Sequence, residues 1–134
     1  MRMTALILAA LSLTACARPD PLGPQPLTEH LGPQLTAADI RSQMVGNTGR
    51  GSRTGTTADF AMYVAPDGSL VSKSIAGREV GRWRISDDDK FCTVGAVVTT
   101  GGEVCQTVHK AGIGVQLVSP RSVEEMVFAP GDNL

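Results

Sequence analysis

The chain has 134 residues, with 12 Lys and Arg against 13 Asp and Glu and a formal net charge of −1. A nearly neutral chain of this length is expected to form one domain, and it has no general electrostatic attraction to nucleic acid, so no nucleic-acid partner is expected. Aromatic residues make up only 4 % of the chain, so aliphatic side chains and methionine must supply most of the core.

The first residues have the pattern of an export signal. A short, positively charged start, Met1-Arg2-Met3, precedes an apolar run over residues 4–13. That run is shorter than the roughly 20 apolar residues that span a bilayer, but it has the length of the apolar region of a secretory signal. An ordinary cleaved signal peptide is one interpretation.

The residues after this run favour a more specific interpretation. Leu13-Thr14-Ala15-Cys16 resembles the lipobox of bacterial lipoproteins: an apolar residue, two small residues and a cysteine. The resemblance covers residues 1–16. It implies cleavage before Cys16, diacylglycerol on the Cys16 thiol and acylation of the new amino terminus, which would anchor the protein in a membrane. In Gram-negative members an Asp after the cysteine favours retention in the inner membrane. Ala17 therefore points to an outer-membrane anchor that faces the periplasm.

This assignment divides the chain into three parts. Residues 1–15 are the predicted signal peptide, residues 16–34 a lipidated tether, and residues 35–134 a single β-rich domain. The tether region is rich in proline, since residues 17–33 hold five of the eight prolines. Proline lacks a backbone donor, so this stretch is expected to be an extended spacer. A proline-rich ligand for another domain is the alternative.

Two cysteines remain after lipidation of Cys16. In an oxidising, exported compartment Cys92 and Cys105 are expected to form a disulfide. Two free thiols or half of a metal site are the competing interpretations. The spacing is not C-x-x-C and the chain has only two histidines, so zinc fits poorly, and no metal or cofactor is expected.

One short helix is predicted at the start of the domain, over residues 37–45. Thr36 is a suitable N-cap, and Asp39 three residues later gives an approximate capping box. Leu35 and Ile40 occupy the positions of a hydrophobic staple. Gly46 is expected to end the helix.

From residue 58 onward, short apolar alternations are separated by turn signals such as Pro66-Asp67-Gly68. Strands are predicted at 59–64, 70–75, 79–85, 91–100, 104–109, 113–118 and 123–128. The expected fold is mainly β, a small antiparallel meander barrel or sandwich of seven to eight strands with one short N-terminal helix. A hairpin centred on residues 100 and 101 would place Cys92 opposite His109. The disulfide therefore requires a wider connection, over about residues 95–102, or a bulge.

Residues 46–57, GNTGRGSRTGTT, combine glycines with Arg50 and Arg53, as phosphate-binding loops do. A P-loop, however, has the pattern G-x-x-x-x-G-K-[ST] after a strand, whereas this segment lacks Lys and follows the predicted helix. We interpret it as a mobile loop or a glycine-weakened edge strand. Arg50 and Arg53 then offer a weak anion or partner contact.

A second group of cations lies in the strand predicted at 79–85 and just before it. Arg78, Arg82 and Arg84 share one face, while Trp83 on the opposite face is expected in the core. The arginines could form a basic stripe for lipopolysaccharide phosphates, an acidic envelope protein or a peptidoglycan carboxylate. An ordinary solvated face is the alternative interpretation.

No catalytic residue is predicted. Residues 87–89, three aspartates, lack the alternate spacing and the glycine of a calcium loop, so an acidic turn is expected. The sequence contains no G-x-S-x-G, S-x-x-K or H-E-x-x-H motif, and His109 has no adjacent nucleophile motif.

A fainter resemblance concerns function. Gly81-Arg82-Trp83-Arg84-Ile85, with Phe91-Cys92 and Cys105, resembles the G-x-W strand and cysteine pair of small periplasmic β proteins of unknown function. Barrel-type bacterial inhibitors of lysozyme and of secreted proteases also combine lipid anchoring or export, a disulfide and a small β-barrel. The expected function is therefore an envelope lipoprotein that acts as a non-catalytic binding module or inhibitor. The alternatives are a structural or assembly accessory of the envelope and a hydrolase with an unrecognised site.

Overall fold

The computed structural model describes residues 31–55, 58–95 and 102–134. Within them, one helix is followed by eight strands: α1 (Ala37–Met44), β1 (Asn47–Arg53), β2 (Asp59–Val64), β3 (Ser69–Ser74), β4 (Gly77–Ile85), β5 (Lys90–Val94), β6 (Val104–Ala111), β7 (Gly114–Ser119) and β8 (Ser122–Pro130). Each strand is antiparallel to the next, and β8 pairs with β1 to close a barrel. The predicted mainly-β fold, a meander barrel with one helix, is confirmed.

Helix α1 closes one end of the barrel. Its capping box is present, since the backbone N–H of Asp39 donates to Thr36 Oγ1 and the Asp39 carboxylate accepts from the Thr36 backbone. Ile40 and Met44 are fully buried in the core cluster. The backbone N–H of Ala37 also donates to Oδ1 of Asp89, 2.9 Å away in the β4–β5 turn. The end bearing this turn is named the helix end, and the opposite end the far end.

The barrel interior changes character along its axis. Side chains in the phase of the core residues point inward, because side chains alternate along a strand. The buried inward residues nearer the helix end are apolar: Val64, Leu70, Phe91 and Val115. Those nearer the far end are polar: Ser72, Thr93, Gln106 and Glu124.

Within the described residues 46–55, the mobile-loop interpretation is wrong, and the strand alternative is correct except that the strand does not lie at an edge. Residues 47–53 form β1, which pairs with β2 on one side and β8 on the other. Its glycines allow close approach: a Cβ on Gly51 would lie 1.8 Å from the backbone oxygen of Glu125, and one on Gly49 would lie 2.7 Å from the Phe128 ring. Glycine is thus what allows the two strands to meet where the barrel closes.

The disulfide fixes the register of β5 and β6. Cys92 and Cys105 are bonded and are direct neighbours across the two strands. Strand β5 ends at Val94 and not at residue 100 as predicted, and β6 begins at Val104. The wide connection that the disulfide required is therefore present, and residues 96–101 within it lie outside the described residues.

The chain joins the barrel along β6. The backbone N–H of Leu35 donates to Val108 O at 2.8 Å, and the backbone N–H of Lys110 donates to Pro33 O at 3.0 Å. Between them, Gln34 and His109 form an isolated antiparallel β-bridge. Part of the predicted tether therefore lies against the barrel, near the helix end. Residues 1–30, which hold the predicted signal peptide, Cys16 and most of the tether, lie outside the described part of the chain.

Candidate functional site

A strongly exposed feature of the described residues is the end of the β3–β4 hairpin, residues 73–80, named here the hairpin tip. Ile75 is 98 % exposed and Val80 is 67 % exposed. Lys73 and Arg78 are direct cross-strand neighbours just below the turn, and both are exposed. The hairpin tip therefore presents two large apolar side chains beside two cations.

One flank of the hairpin tip is unpaired among the described residues. Strand β4 pairs with β5 only from Arg82 to Ile85, so among the described residues its first five residues pair with β3 alone. Residues 77–80 are exposed on both faces of the strand. The tight turn depends on Gly77, whose φ is 122°, and on Ser74, whose Oγ accepts from the backbone N–H of Ala76. A short turn on a closed barrel gives the tip a defined shape.

The predicted arginine face exists, but its three members differ. Arg78, Arg82 and Arg84 alternate along β4 and are all exposed. Arg84 is paired with Glu103. Arg82 lies near the β2–β3 turn, where the pKa of Asp67 is lowered chiefly by hydrogen bonds from Ser69 and to a smaller extent by the Arg82 charge. Within the described chain Arg78 and Arg82 form no salt bridge.

Trp83 takes the opposite face, as predicted. Its ring packs against the core cluster, with its centroid 6.0 Å from that of Phe91. Its Nε1 donates to the backbone oxygen of Ala65 at 2.8 Å. The tryptophan thus fixes β4 on the β2–β3 turn, and the arginines on alternate positions must face solvent.

The disulfide lies on the outer face beneath the Arg84–Glu103 pair. Cys92 is 1 % exposed although it points away from the interior. The pKa of Glu103 is lowered, chiefly by hydrogen bonding from Arg84. Cys92, Glu103 and Cys105 also form the one group of potential metal-ligand types in the described residues, but both sulfurs are used in the disulfide. This cluster is therefore structural.

No family model, curated protein or solved structure matches this chain. In the described part, no helix has the length and apolar character needed to cross a membrane. Function therefore has to be argued from the chemistry of the surface and of the few buried polar groups.

Arg50 and Arg53, grouped by sequence, lie on opposite faces of β1. Arg53 Nη2 is 3.0 Å from Oε1 of Glu124, which is 1 % exposed. Arg50 points outward, where its guanidinium donates to the backbone oxygen of Asn133. An interval of three residues along a strand separates two side chains onto different faces, so the two arginines cannot form one site.

An outer groove of about 490 Å³ crosses β1, β2 and β3. Two cations, Arg50 and Lys73, line it together with Asp59. The remaining lining comes from Gly51, Phe60, Ala61, Ser74 and Leu134. The groove begins at the base of the hairpin tip, because Lys73 belongs to both.

Glu124 and His109 have structural partners, whereas the buried hydroxyl of Ser72 has no hydrogen-bond partner in the described part of the chain. The described contacts of Glu124 are with Arg53 and with Gln106, whose Nε2 is 3.5 Å from Oε2. The two ring nitrogens of His109 lie 2.8 Å from Gly32 O and 3.1 Å from Thr107 Oγ1. Glu124 contacts no hydroxyl or thiol of the described chain. The Thr107 hydroxyl lies beside one ring nitrogen of His109, but the other ring nitrogen contacts the backbone oxygen of Gly32, and no carboxylate contacts the ring in the described residues. The pair therefore lacks the third member of a catalytic triad, and these contacts give no support to the hydrolase alternative.

The hairpin tip and the groove were not evident from the sequence. The strand predicted at residues 70–75 includes Ile75, because Ser-Ile-Ala-Gly lacks the Pro, Asn or Asp that usually marks a turn. The groove depends on the register of three strands, which periodicity does not give. An isolated isoleucine directly before Ala-Gly was the one available sign of an exposed turn.

Proposed function

We propose that this chain is a lipid-anchored, non-catalytic binding module of the bacterial cell envelope, and that its hairpin tip enters a cleft of an envelope-active enzyme and inhibits it. The carrying observation is the 98 % exposure of Ile75 at the β3–β4 turn of a closed barrel. A single exposed apolar side chain needs no partner, but the hairpin tip places two, Ile75 and Val80, beside the cations Lys73 and Arg78 on one short hairpin. A short turn also loses little conformational entropy on binding.

The disulfide supports an exported location. A buried Cys92–Cys105 bond between neighbouring strands persists in an oxidising compartment and is rare in the cytosol. It agrees with the predicted signal peptide and lipidation of Cys16, with the outer membrane and periplasm as the proposed location.

The direction of the hairpin tip suits this arrangement. The chain reaches the barrel at Gly32–Gln34, along β6 near the helix end. The β3–β4 turn belongs to the far end, because antiparallel neighbours place the turns after β1, β3, β5 and β7 together. The hairpin tip therefore lies at the opposite end of the barrel from the point where the described chain joins it.

Site-specific photocrosslinking tests this proposal. A photoreactive phenylalanine analogue at position 75 of the full-length protein should crosslink a discrete envelope enzyme, and purified protein should lower that enzyme's activity. Position 113 is the matched control, because Ile113 is 92 % exposed in a turn at the opposite end of the barrel. Ile75→Asp should abolish inhibition, and Ile113→Asp should not. Equal crosslinking from both positions, or none from position 75, would contradict the proposal.

A further inference from the structure

We infer that the outer groove across β1, β2 and β3 is a binding site for a small ligand that carries one oxyanion, a carboxylate or a phosphate, on an apolar body. The inference concerns a different surface from the proposed hairpin contact and does not depend on it.

The register places two cations around a gap. Arg50 pairs with Ala61, and Ala61 pairs with Lys73, so the three residues form one row on the outer face. Arg50 and Lys73 are two strand spacings apart, with Cα atoms about 10 Å from each other. Ala61 lies between them, and its outward side chain is only a methyl group. Two long cationic side chains therefore flank a space that no side chain of the middle strand fills.

The two cations of the groove have no carboxylate side chain as a partner among the described residues. Lys73 forms no salt bridge in the described chain, and Arg50 has one hydrogen bond, to the neutral backbone oxygen of Asn133. Asp59 is the single acidic residue of the lining and pairs with neither cation. Arg78, beside Lys73, adds a further positive charge to the same row. Among the lining side chains two cations accompany one carboxylate, which favours an anion.

The two cation types define the ligand further. An arginine guanidinium has a planar set of donors that matches the two oxygens of a carboxylate or phosphate, and lysine adds a point charge. Ala61 and Leu134 contribute apolar surface to the lining, whereas the Phe60 side chain lies on the inward face of β2 and packs against the core cluster. A ligand with an oxyanion at one side and an apolar ring or chain at the other fits both features.

Other cations on the molecule are less suited to bind an anion. Arg84 is neutralised by Glu103 on the outer face, and Arg53 by Glu124 inside the barrel. The groove differs because its cations converge on a concave surface and remain without a carboxylate partner.

Calorimetric titration of the full chain with three matched probes tests the inference. Benzoate and phenyl phosphate carry an oxyanion on the same ring, and benzyl alcohol is the uncharged analogue. Benzoate or phenyl phosphate should bind at millimolar concentration or better, and benzyl alcohol should bind much more weakly. The stronger of the two anions identifies the natural group as a carboxylate or a phosphate.

Variants locate the site. Arg50→Gln and Lys73→Gln should each weaken anion binding about tenfold, the effect of losing one charge-assisted hydrogen bond. Asp59→Asn should tighten binding, because it removes a negative charge from the lining. Lys110→Gln and Arg121→Gln, at exposed cations outside the groove, are controls that should leave the dissociation constant unchanged.

Three results would overturn the inference. They are the absence of binding by both anions, equal binding of benzyl alcohol, and unchanged affinity in Arg50→Gln and Lys73→Gln. Circular dichroism of each variant shows whether the fold is retained. If Arg50→Gln is misfolded, Lys73→Gln and Asp59→Asn still decide the outcome, because their expected effects have opposite signs.

Discussion

Arg53 and Glu124 are direct partners across β1 and β8, and their ion pair lies inside the barrel where its first and last strands meet. The carboxylate of Glu124 is buried, whereas the Arg53 side chain is 40 % exposed. Removing the cation would leave a buried charge with only Gln106 as a partner. The pair therefore makes barrel closure sensitive to a single substitution.

We predict that Arg53→Ala lowers the free energy of unfolding by about 3 kcal/mol, because the buried carboxylate loses its counter-charge. Urea denaturation measures the change. The matched control is Arg84→Ala, which breaks the exposed Arg84–Glu103 pair and should cost no more than about 1 kcal/mol. Equal losses in the free energy of unfolding from the two substitutions would mean that the burial of Glu124 does not determine how much this ion pair stabilises the protein.

Gly51→Ala should prevent normal closure of the barrel. The added Cβ would lie 1.8 Å from the backbone oxygen of Glu125, and backbone cannot move aside without breaking the β1–β8 ladder. We expect a loss of about 3 kcal/mol or more in thermal or urea unfolding. Gly102→Ala, where no atom lies within 4 Å of the added Cβ, should be nearly neutral. A stable Gly51→Ala variant would contradict the close approach of these strands.

The disulfide should contribute about 3 kcal/mol to stability, the value expected for closing a loop of this size. Unfolding of the paired variant Cys92→Ser/Cys105→Ser measures this contribution. Mass spectrometry of the native protein without reductant should show a loss of two hydrogens. Rapid alkylation of both cysteines in the native, unreduced protein would show that the bond is absent.

The acidic turn gives a prediction for pH. Interactions with Lys90 and then Ser86 lower the pKa of Asp88 from 3.8 to about 2. The folded state therefore binds its proton less readily than the unfolded state. The stabilisation is complete above about pH 3.8 and is lost as the pH falls toward 2. Thermal unfolding of Asp88→Asn should differ from wild type by a constant amount at higher pH, and the difference should shrink across this window.

Asp87→Asn serves as the control for this effect, because Asp87 makes no hydrogen bond within the described chain. Its melting temperature should follow wild type through the acid range. A difference between Asp88→Asn and wild type that stays constant down to pH 2 would contradict the assigned contacts.

Cys16→Ser tests the proposed anchor. If Cys16 accepts the lipid, the variant should remain uncleaved or become soluble, since a hydroxyl is a far weaker nucleophile than a thiolate. Cell fractionation and intact-protein mass measure both outcomes. A variant that stays in the membrane fraction with the mass of the wild-type protein would exclude lipidation at this residue.

Most of the barrel could be predicted because its turns are marked by local chemistry. Pro66-Asp67-Gly68 forms the expected turn, with Gly68 at a φ of 89°, and Thr36 and Asp39 cap the helix as their spacing indicates. Each feature depends on interactions among residues close in sequence. Such interactions are visible in the sequence whatever the tertiary structure.

The missed features depend on contacts between distant residues. Strand β1 was missed because its inward positions include Gly49 and Gly51, so the apolar alternation that identifies a strand is absent. Glu124 and Glu125 cannot be distinguished by pattern. Only the pairing of β8 with β1 places Glu124 inside and opposite Arg53.

The attachment of the chain near the helix end sets a length scale if Cys16 carries lipid. About 15 residues separate Cys16 from Leu31, and a chain of that length spans at most about 50 Å. The domain would then stay within a thin layer next to the membrane. A partner confined to the same layer would encounter it at a high effective concentration. Under that condition a micromolar interaction suffices for nearly full occupancy, so selection need not have produced a tight binder. Measurements on the detached domain would then underestimate binding in the envelope.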